Sequence, residues 1–452
     1  MPISTFTRRV RTAYETIREL WLRALIFVTR PIVLRLLPDP YTEAGNVRVA
    51  SKPTHASRVT MTEIIAAHHC NVKGQANAGT ILGWIDIAAG ISAKRHASAP
   101  SVTRSVDDVA FLHPIKMGDI LTIQASVNKS WKTSMEVGVK VEAETPLTGE
   151  RYFVAHAYLT FVALSPRPKP RTYLGQIMME HNPIRVPEIV PYAELEKKRY
   201  DMAEQRRQSR FKKKQQDDLS DIRELMRTWS QGLQERGSEV NAEIRQHPAL
   251  AATSPRTTDD ERLTKKRRYS TDPRLVPSVS EVPMETTFAE VVELVMPQHA
   301  NTLSITFGGQ IMAWMEACAL ASANRLSRAY LLTASIDTLQ FITPTHVGDV
   351  VTIRSIVSRT YTSSMEVYVS VEAENLQTNE TKFTNDAFFT ITAVDEDNIP
   401  VRVPKVVPNT HAEMRLNEGG SERRERRLAQ RVELINLMTP GHSTDPSSPT
   451  PL

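Results

Sequence analysis

Phe307-Gly308-Gly309-Gln310-Ile311-Met312-Ala313-Trp314-Met315-Glu316 is the stretch that decides how this chain is read, because Ala78-Gly79-Thr80-Ile81-Leu82-Gly83-Trp84-Ile85-Asp86 stands 230 positions before it. The same offset pairs His69 with His299 and Asn71 with Asn301. Downstream it pairs Ser105, Asp107 and Phe111 with Ser335, Asp337 and Phe341, and Pro114, Gly118 and Asp119 with Pro344, Gly348 and Asp349. Ser134 to Val137 falls on Ser364 to Val367, and Val141 to Glu144 on Val371 to Glu374. The register holds without a gap over residues 69–164, which is duplication of a whole domain and not a solenoid of short units.

Each copy opens on a helix and continues in strands. Ile81, Leu82, Ile85, Ala88 and Ala89 recur at helical spacing, and the alanines favour helix and close packing. Residues 102–111, 120–129, 135–143 and 151–164 read as strands; Met135, Val137, Val139, Val141 and Ala143 alternate with Glu136, Gly138, Lys140 and Glu142. Met117-Gly118-Asp119 and Thr148-Gly149-Glu150 mark turns. One helix followed by antiparallel strands predicts an α+β unit in which a single sheet wraps the helix. The alternation turns Glu136 and Glu366 outward from a half-buried sheet, and Trp84 and Trp314 read as core.

The predicted organisation is a basic arm (1–50), a first domain (51–175), a Pro-rich and charged linker with a helix (176–280), a second domain (281–404), and a basic helix with a disordered tail (405–452). In the arm, Arg8, Arg9, Arg11, Arg18, Arg23, Arg30 and Arg35 interrupt apolar runs too short to span a bilayer. It reads as a mitochondrial presequence, as an amphipathic helix giving peripheral membrane contact, or as a plain basic arm. A mitochondrial or cytoplasmic location follows. Two unmatched cysteines, Cys70 and Cys318, exclude a disulfide framework and a four-cysteine zinc site, and argue against a thiol nucleophile. The net charge of +5 is concentrated in the arm and linker, and the linker's Tyr200, Phe211 and Trp229 are too scattered for nucleic-acid stacking.

Acids number 51 in 452 residues, so their absences carry information. Asp86 is the only carboxylate between Val72 and Val106, and Glu316 the only one between Thr302 and Ile336. Each sits on a largely apolar helix face, where a carboxylate has a raised pKa and suits a general base. A structural acid paired with an arginine is the plainer alternative. Asn71 and Asn301, in the loops before the helices, hold a water or carbonyl oxygen, or simply close their own turns. His69 and His299 serve as bases or pack beneath those loops. Gly79, Gly308 and Gly309 place free amides of a helix N-terminus where an oxyanion could form. No Gly-x-Ser-x-Gly elbow, zincin motif, Walker loop or dinucleotide fingerprint is present.

The segments Asn301-Thr302, Phe307 to Glu316 and Ser134 to Val137 resemble the tandem-hotdog acyl-CoA thioesterases of the animal cytosolic and brown-fat type, here without a START domain. The resemblance covers both repeats and the closing segments Val186 to Pro191 and Val403 to Pro408, but not residues 1–50. It implies a double hotdog, two long helices each wrapped by a curved antiparallel sheet. It implies hydrolysis of fatty acyl-CoA to free acid and CoA, at sites pairing Asn71 with Glu316 and Asn301 with Asp86. It places CoA along Ser105 and Val106 and near Thr133, Ser134 and Met135, or at Ser335, Ile336, Ser363, Ser364 and Met365. No metal or redox cofactor is implied, coenzyme A being part of the substrate. A homo-oligomer, a trimer of double hotdogs, is the implied assembly, with no nucleic acid. A hotdog hydroxyacyl-thioester dehydratase using His69 and a non-enzymatic acyl-CoA binder are the alternatives.

Overall fold

The computed structural model describes residues 51–166, 169–173, 176–213, 219–236, 269–270, 272, 274–275, 277 and 280–438. The arm read above as presequence or membrane helix, most of the polar stretch 250–283 and the tail after 438 lie outside them. No described helix is long and apolar enough to cross a membrane.

Each copy is built on one alanine-rich helix, α1 (Ala78–Ala97) and α4 (Gly308–Leu326). Helix α1 stops at Ser98, whose left-handed backbone (φ 52°) returns its N–H to the Lys94 carbonyl. The first sheet contains β1 (Val59–Ile64), β2 (Ser101–Val106), β4 (Ile120–Ser130), β5 (Ser134–Thr145) and β6 (Glu150–Ala163), with the two-residue β3 (Val109–Ala110) beside them in sequence. A short hairpin, β7 (Lys169–Tyr173) and β8 (Gln176–Glu180), follows. The second copy repeats the set as β9 (Ala289–Leu294), β10 (Tyr330–Ile336), β11 (Leu339–Gln340), β12 (Asp349–Thr360), β13 (Ser364–Asn375) and β14 (Glu380–Val394).

The sheet orders are β11-β2-β6-β5-β4-β1 and β9-β12-β13-β14-β10-β3. Each therefore ends in a short strand from the other copy: Ala110 and Val109 pair with Ser335 and Ile336, while Leu339 and Gln340 pair with Val106 and Ser105. Register shifts fall at Thr103/Ser105, Val127/Lys129 and Val141/Glu142, and again at Thr333/Ser335, Val357/Arg359 and Val371/Glu372. Such bulges bend a strand and sharpen its twist, and their repetition curls each sheet around its helix. Leu82, Ile85, Ala89 and Ala93 fill that curl against Leu121, Ile123, Val139, Leu159 and Phe161, all buried. Met312, Met315, Ala319 and Ala323 do so in the second copy. Trp314 is buried as core, whereas Trp84 is half-buried.

The two helices cross at almost backbone contact. A Cβ on Gly79 would lie 2.8 Å from Ala313 Cα, and one on Gly309 2.7 Å from Gly83 Cα. Glycine is required at both for this approach.

The linker holds two helices where one was expected, α2 (Glu194–Lys213) and α3 (Ser220–Arg236). Helix α2 packs on the first sheet; α3 packs on the second copy through buried Ile222 and Met226, with Trp229 edge-on to Phe288. After the second copy come α5 (His411–Glu418) and α6 (Gly420–Met438).

These helices cover Glu136 and Glu366 on the face where the alternation put them, so that both are 0% exposed. Arg206 and Arg210 of α2 bind Glu136, while Arg423 and Arg427 of α6 bind Glu366. Arg210 also holds Asp107 at 2.7 Å, and Arg427 holds Asp337 through Nε at 2.5 Å. The face that alternation assigned to water is covered by a helix from far along the chain. Arg206, Arg207 and Arg210 stand 217 positions before Arg423, Arg424 and Arg427, so these helices belong to the duplicated unit at a shifted offset. The shift is taken up where β7 and β8 replace a tight turn: bridge Leu164↔Pro183 in one copy answers Val394↔Pro400 in the other.

Candidate active site

Helix α1 points its N-terminus at the acid of α4, and α4 points its own at the acid of α1. Glu316 Oε1 accepts from the Ala78 amide at 3.1 Å and Oε2 from the Gly79 amide at 2.5 Å, while the Thr333 hydroxyl donates to Oε1 at 2.6 Å. Asp86 Oδ2 accepts from the Gly309 amide at 2.9 Å, and the Thr103 hydroxyl donates to Oδ1 at 2.5 Å. Both acids are buried, 4% and 3% exposed. Burial raises both pKa values; the Thr333 hydroxyl and the Gly79 and Ala78 amides oppose this at Glu316 without cancelling it. At Asp86 the opposing groups are the Thr103 hydroxyl, the Gly309 amide and the charge of Lys94.

The amides expected to be free for an oxyanion thus already donate to a carboxylate at Gly79 and Gly309. The helix N-terminus favours negative charge, and here the acid of the other copy supplies it. Thr103 and Thr333 were missed in the sequence although they are identical at the 230 offset; a threonine inside a strand carries no signal of its own.

Asn71 Oδ1 accepts from the amides of Lys73 (2.9 Å) and Gln75 (3.1 Å), and Asn301 Oδ1 from Leu303 (2.8 Å) and Ile305 (3.2 Å). Each asparagine closes its own turn, which leaves Nδ2 as the donor end of the amide. His69 Nδ1 accepts from the Ala66 amide and its ring meets Trp84 edge-on at 4.8 Å; His299 repeats this with Met296 and with Trp314 at 5.1 Å. The histidines pack beneath the loops.

A cavity of about 960 Å³ opens between the copies. Asn71, Gln75, Ala78, Glu316 and Thr333 line one end, Ser335, Ile336, Ser363 and Ser364 its flank, and Arg424, Arg427 and Arg431 of α6 another wall. Asn301, Asp86, His69, Ser105, Val106, Thr133 and Ser134 are not part of that wall. Met135 and Met365 are fully buried and offer a ligand no surface. Among the described residues no group of three or more His, Cys, Asp or Glu is placed to hold a metal.

Two curved sheets around crossed helices, with an acid of each copy at the other's helix start, define a double hotdog. Residues 73–150 and 303–379 match the thioesterase superfamily, and the chain belongs to that family. It is similar to the uncharacterized acyl-CoA thioester hydrolase YkhA of Bacillus subtilis, 38% identical over 28% of this chain and 75% of that protein. It is 31% identical to acyl-coenzyme A thioesterase 11 of Mus musculus over 84% of this chain and 53% of that protein. An acyl-CoA hydrolase structure from Bacillus cereus is 35% identical over 36% of this chain and 92% of that one, with a TM-score of 0.33. The chain spans 53–59% of the length of the first curated relatives it matches.

Proposed function

We propose that this chain hydrolyses fatty acyl-CoA to free acid and CoA at the Asn71–Glu316 site. The observation that carries the reading is one cavity bringing the loop of the first copy to the acid of the second. Glu316 takes a proton from water, and the resulting hydroxide attacks the thioester carbonyl. Asn71 Nδ2 donates to the water or to the carbonyl oxygen, while Thr333 and the first amides of α1 hold the carboxylate. Collapse breaks the C–S bond, and the thiolate leaves with the proton that Glu316 took up. This needs neither metal nor redox cofactor. Arg424 on the cavity wall, which stacks on the Tyr361 ring, suits a substrate bearing phosphates.

The histidine on which a dehydratase reading would rest, His69, is held against Trp84 and away from the cavity wall. We place the protein in the cytoplasm, as relatives named cytosolic acyl coenzyme A thioester hydrolase suggest at 27% identity, and as a homo-oligomer of double hotdogs. The test is thiol release from a series of acyl-CoAs by the full chain. Release abolished by Glu316→Ala with folding intact supports the reading; no release from any acyl-CoA by the folded wild type overturns it.

A further inference from the structure

Gln75 is 4% exposed and lines the cavity that holds Asn71 and Glu316, yet its Oε1 has no hydrogen-bond partner. A buried acceptor left unpaired is costly, so its orientation needs a reason. The neighbours supply it. Gln75 Nε2 donates at 3.0 Å to Asn398 Oδ1, and Lys73 Nζ donates to that same oxygen and, at 2.6 Å, to the Asp395 carbonyl. Lysine has only donors, so the Asn398 atom facing it must be the acceptor, and Gln75 must offer it N–H. Oε1 is therefore turned away from Asn398 and cannot exchange places with Nε2.

Asn398 is held for this purpose in a conformation few residues adopt (φ 62°), inside the tight turn Asp395–Ile399. The Asp395 carboxylate braces that turn by accepting from the amides of Asp397 and Ile399. In the first copy the corresponding turn is replaced by the β7–β8 hairpin, and the residues matching Lys73 and Gln75 are Leu303 and Ile305. The clamp and the orphan acceptor belong to one of the two sites.

Resting on the hydrolase reading, we propose that Gln75 is a substrate-binding residue of the Asn71–Glu316 site whose Oε1 accepts the amide N–H nearest the thioester sulfur in the pantetheine arm. Asn398 and Lys73 are its positioning residues. An acyl-CoA offers an amide N–H a few bonds from the scissile carbonyl, which the unpaired acceptor of this cavity-lining residue would engage.

The experiment compares three thioesters of one fatty acid, with CoA, with N-acetylcysteamine (which keeps that amide) and with propanethiol (which lacks it). Gln75→Ile, the residue of the other copy, should raise KM about tenfold more for the first two than for the third. Turnover of the third by the same variant also reports that it is folded. Asn398→Ala should give the same pattern more weakly, and Asn398→Asp, which still accepts from both donors, should restore KM. An equal change for all three thioesters, or none for any, overturns the contact while leaving the hydrolase reading standing. Wild type that releases no thiol from acyl-CoA overturns both.

Discussion

The Asn71–Glu316 half and the Asn301–Asp86 half share one backbone frame and differ in what the frame carries. Glutamate reaches two amides of the facing helix, Ala78 and Gly79, where the shorter aspartate reaches Gly309. In the first half, Lys73 and Gln75 are clamped by Asn398 across the domain boundary; in the second, Leu303 and Ile305 offer no polar side chain. Phe111 is half-buried, whereas Phe341 is buried with its ring 3.1 Å from where a Cβ on Gly308 would sit. Duplication preserved the scaffold on both sides and let the polar equipment gather on one.

The largest effect that would break this contrast lies in the acids. Glu316→Ala should lower kcat by about 10²–10⁴, the usual worth of a general base. Asp86→Ala should keep most of the activity, because its half lacks the clamp and the acceptor. Thiol release by the two variants, with an unfolding curve for each, decides it; equal losses would mean two working sites.

The buried glutamates offer the next contrast. Arg427 serves both Glu366 and the 5%-exposed Asp337, while Arg210 serves Glu136 and the 15%-exposed Asp107. Removing one partner from a buried ion pair costs about 3–5 kcal/mol. Arg427→Ala should show that loss in a denaturant titration, and Arg210→Ala a smaller one. The reverse order would mean that the second copy tolerates an unpaired buried acid better than its burial suggests.

Close approach is the third. Gly79→Ala and Gly309→Ala each drive a methyl into backbone of the facing helix and should cost about 1–3 kcal/mol. The added Cβ on Gly79 also sits 2.8 Å from Glu316 Oε2, whereas that on Gly309 meets Asp86 Cβ at 3.0 Å. Gly79→Ala should therefore lose more kcat than Gly309→Ala at equal loss of stability.

The sequence carried the doubled unit, both central helices, and the acid and asparagine of each half, because an ungapped overlay exposes them together. The burial of Glu136 and Glu366 was not readable from alternation. Period two tells which residues share a face, not whether a helix such as α2 or α6 later covers it. The helices themselves were half visible: Arg206, Arg207 and Arg210 match Arg423, Arg424 and Arg427 only after the register slips at the β7–β8 hairpin. The clamp on Gln75 was not visible at all, since it joins residues more than three hundred positions apart and has no counterpart in the other copy.

The smallest expected effect separates two acids of these Arg-bound clusters by pH, Asp107 and Glu366; burial raises Asp337 as it raises Asp107. Burial pushes Asp107 up to about 6, against the pull of Arg210 and with a push from Glu136. Between its ordinary 3.8 and about 6 the folded state keeps a proton that the unfolded chain has released, so this group makes stability fall as pH rises through that window. Glu366 works the other way. Its burial alone would raise it, but Arg423 and Arg427 outweigh burial and hold the carboxyl below its ordinary 4.5. It therefore contributes stability above 4.5 that is lost as pH falls through its lowered value. Asp107→Asn should remove a slope on the order of 1 kcal/mol from urea midpoints measured across pH 4 to 7. Glu366→Gln should leave that slope and remove stability at neutral pH instead. If Asp107→Asn leaves the profile unchanged, Arg210 pairs with Asp107 as tightly as Arg423 and Arg427 pair with Glu366.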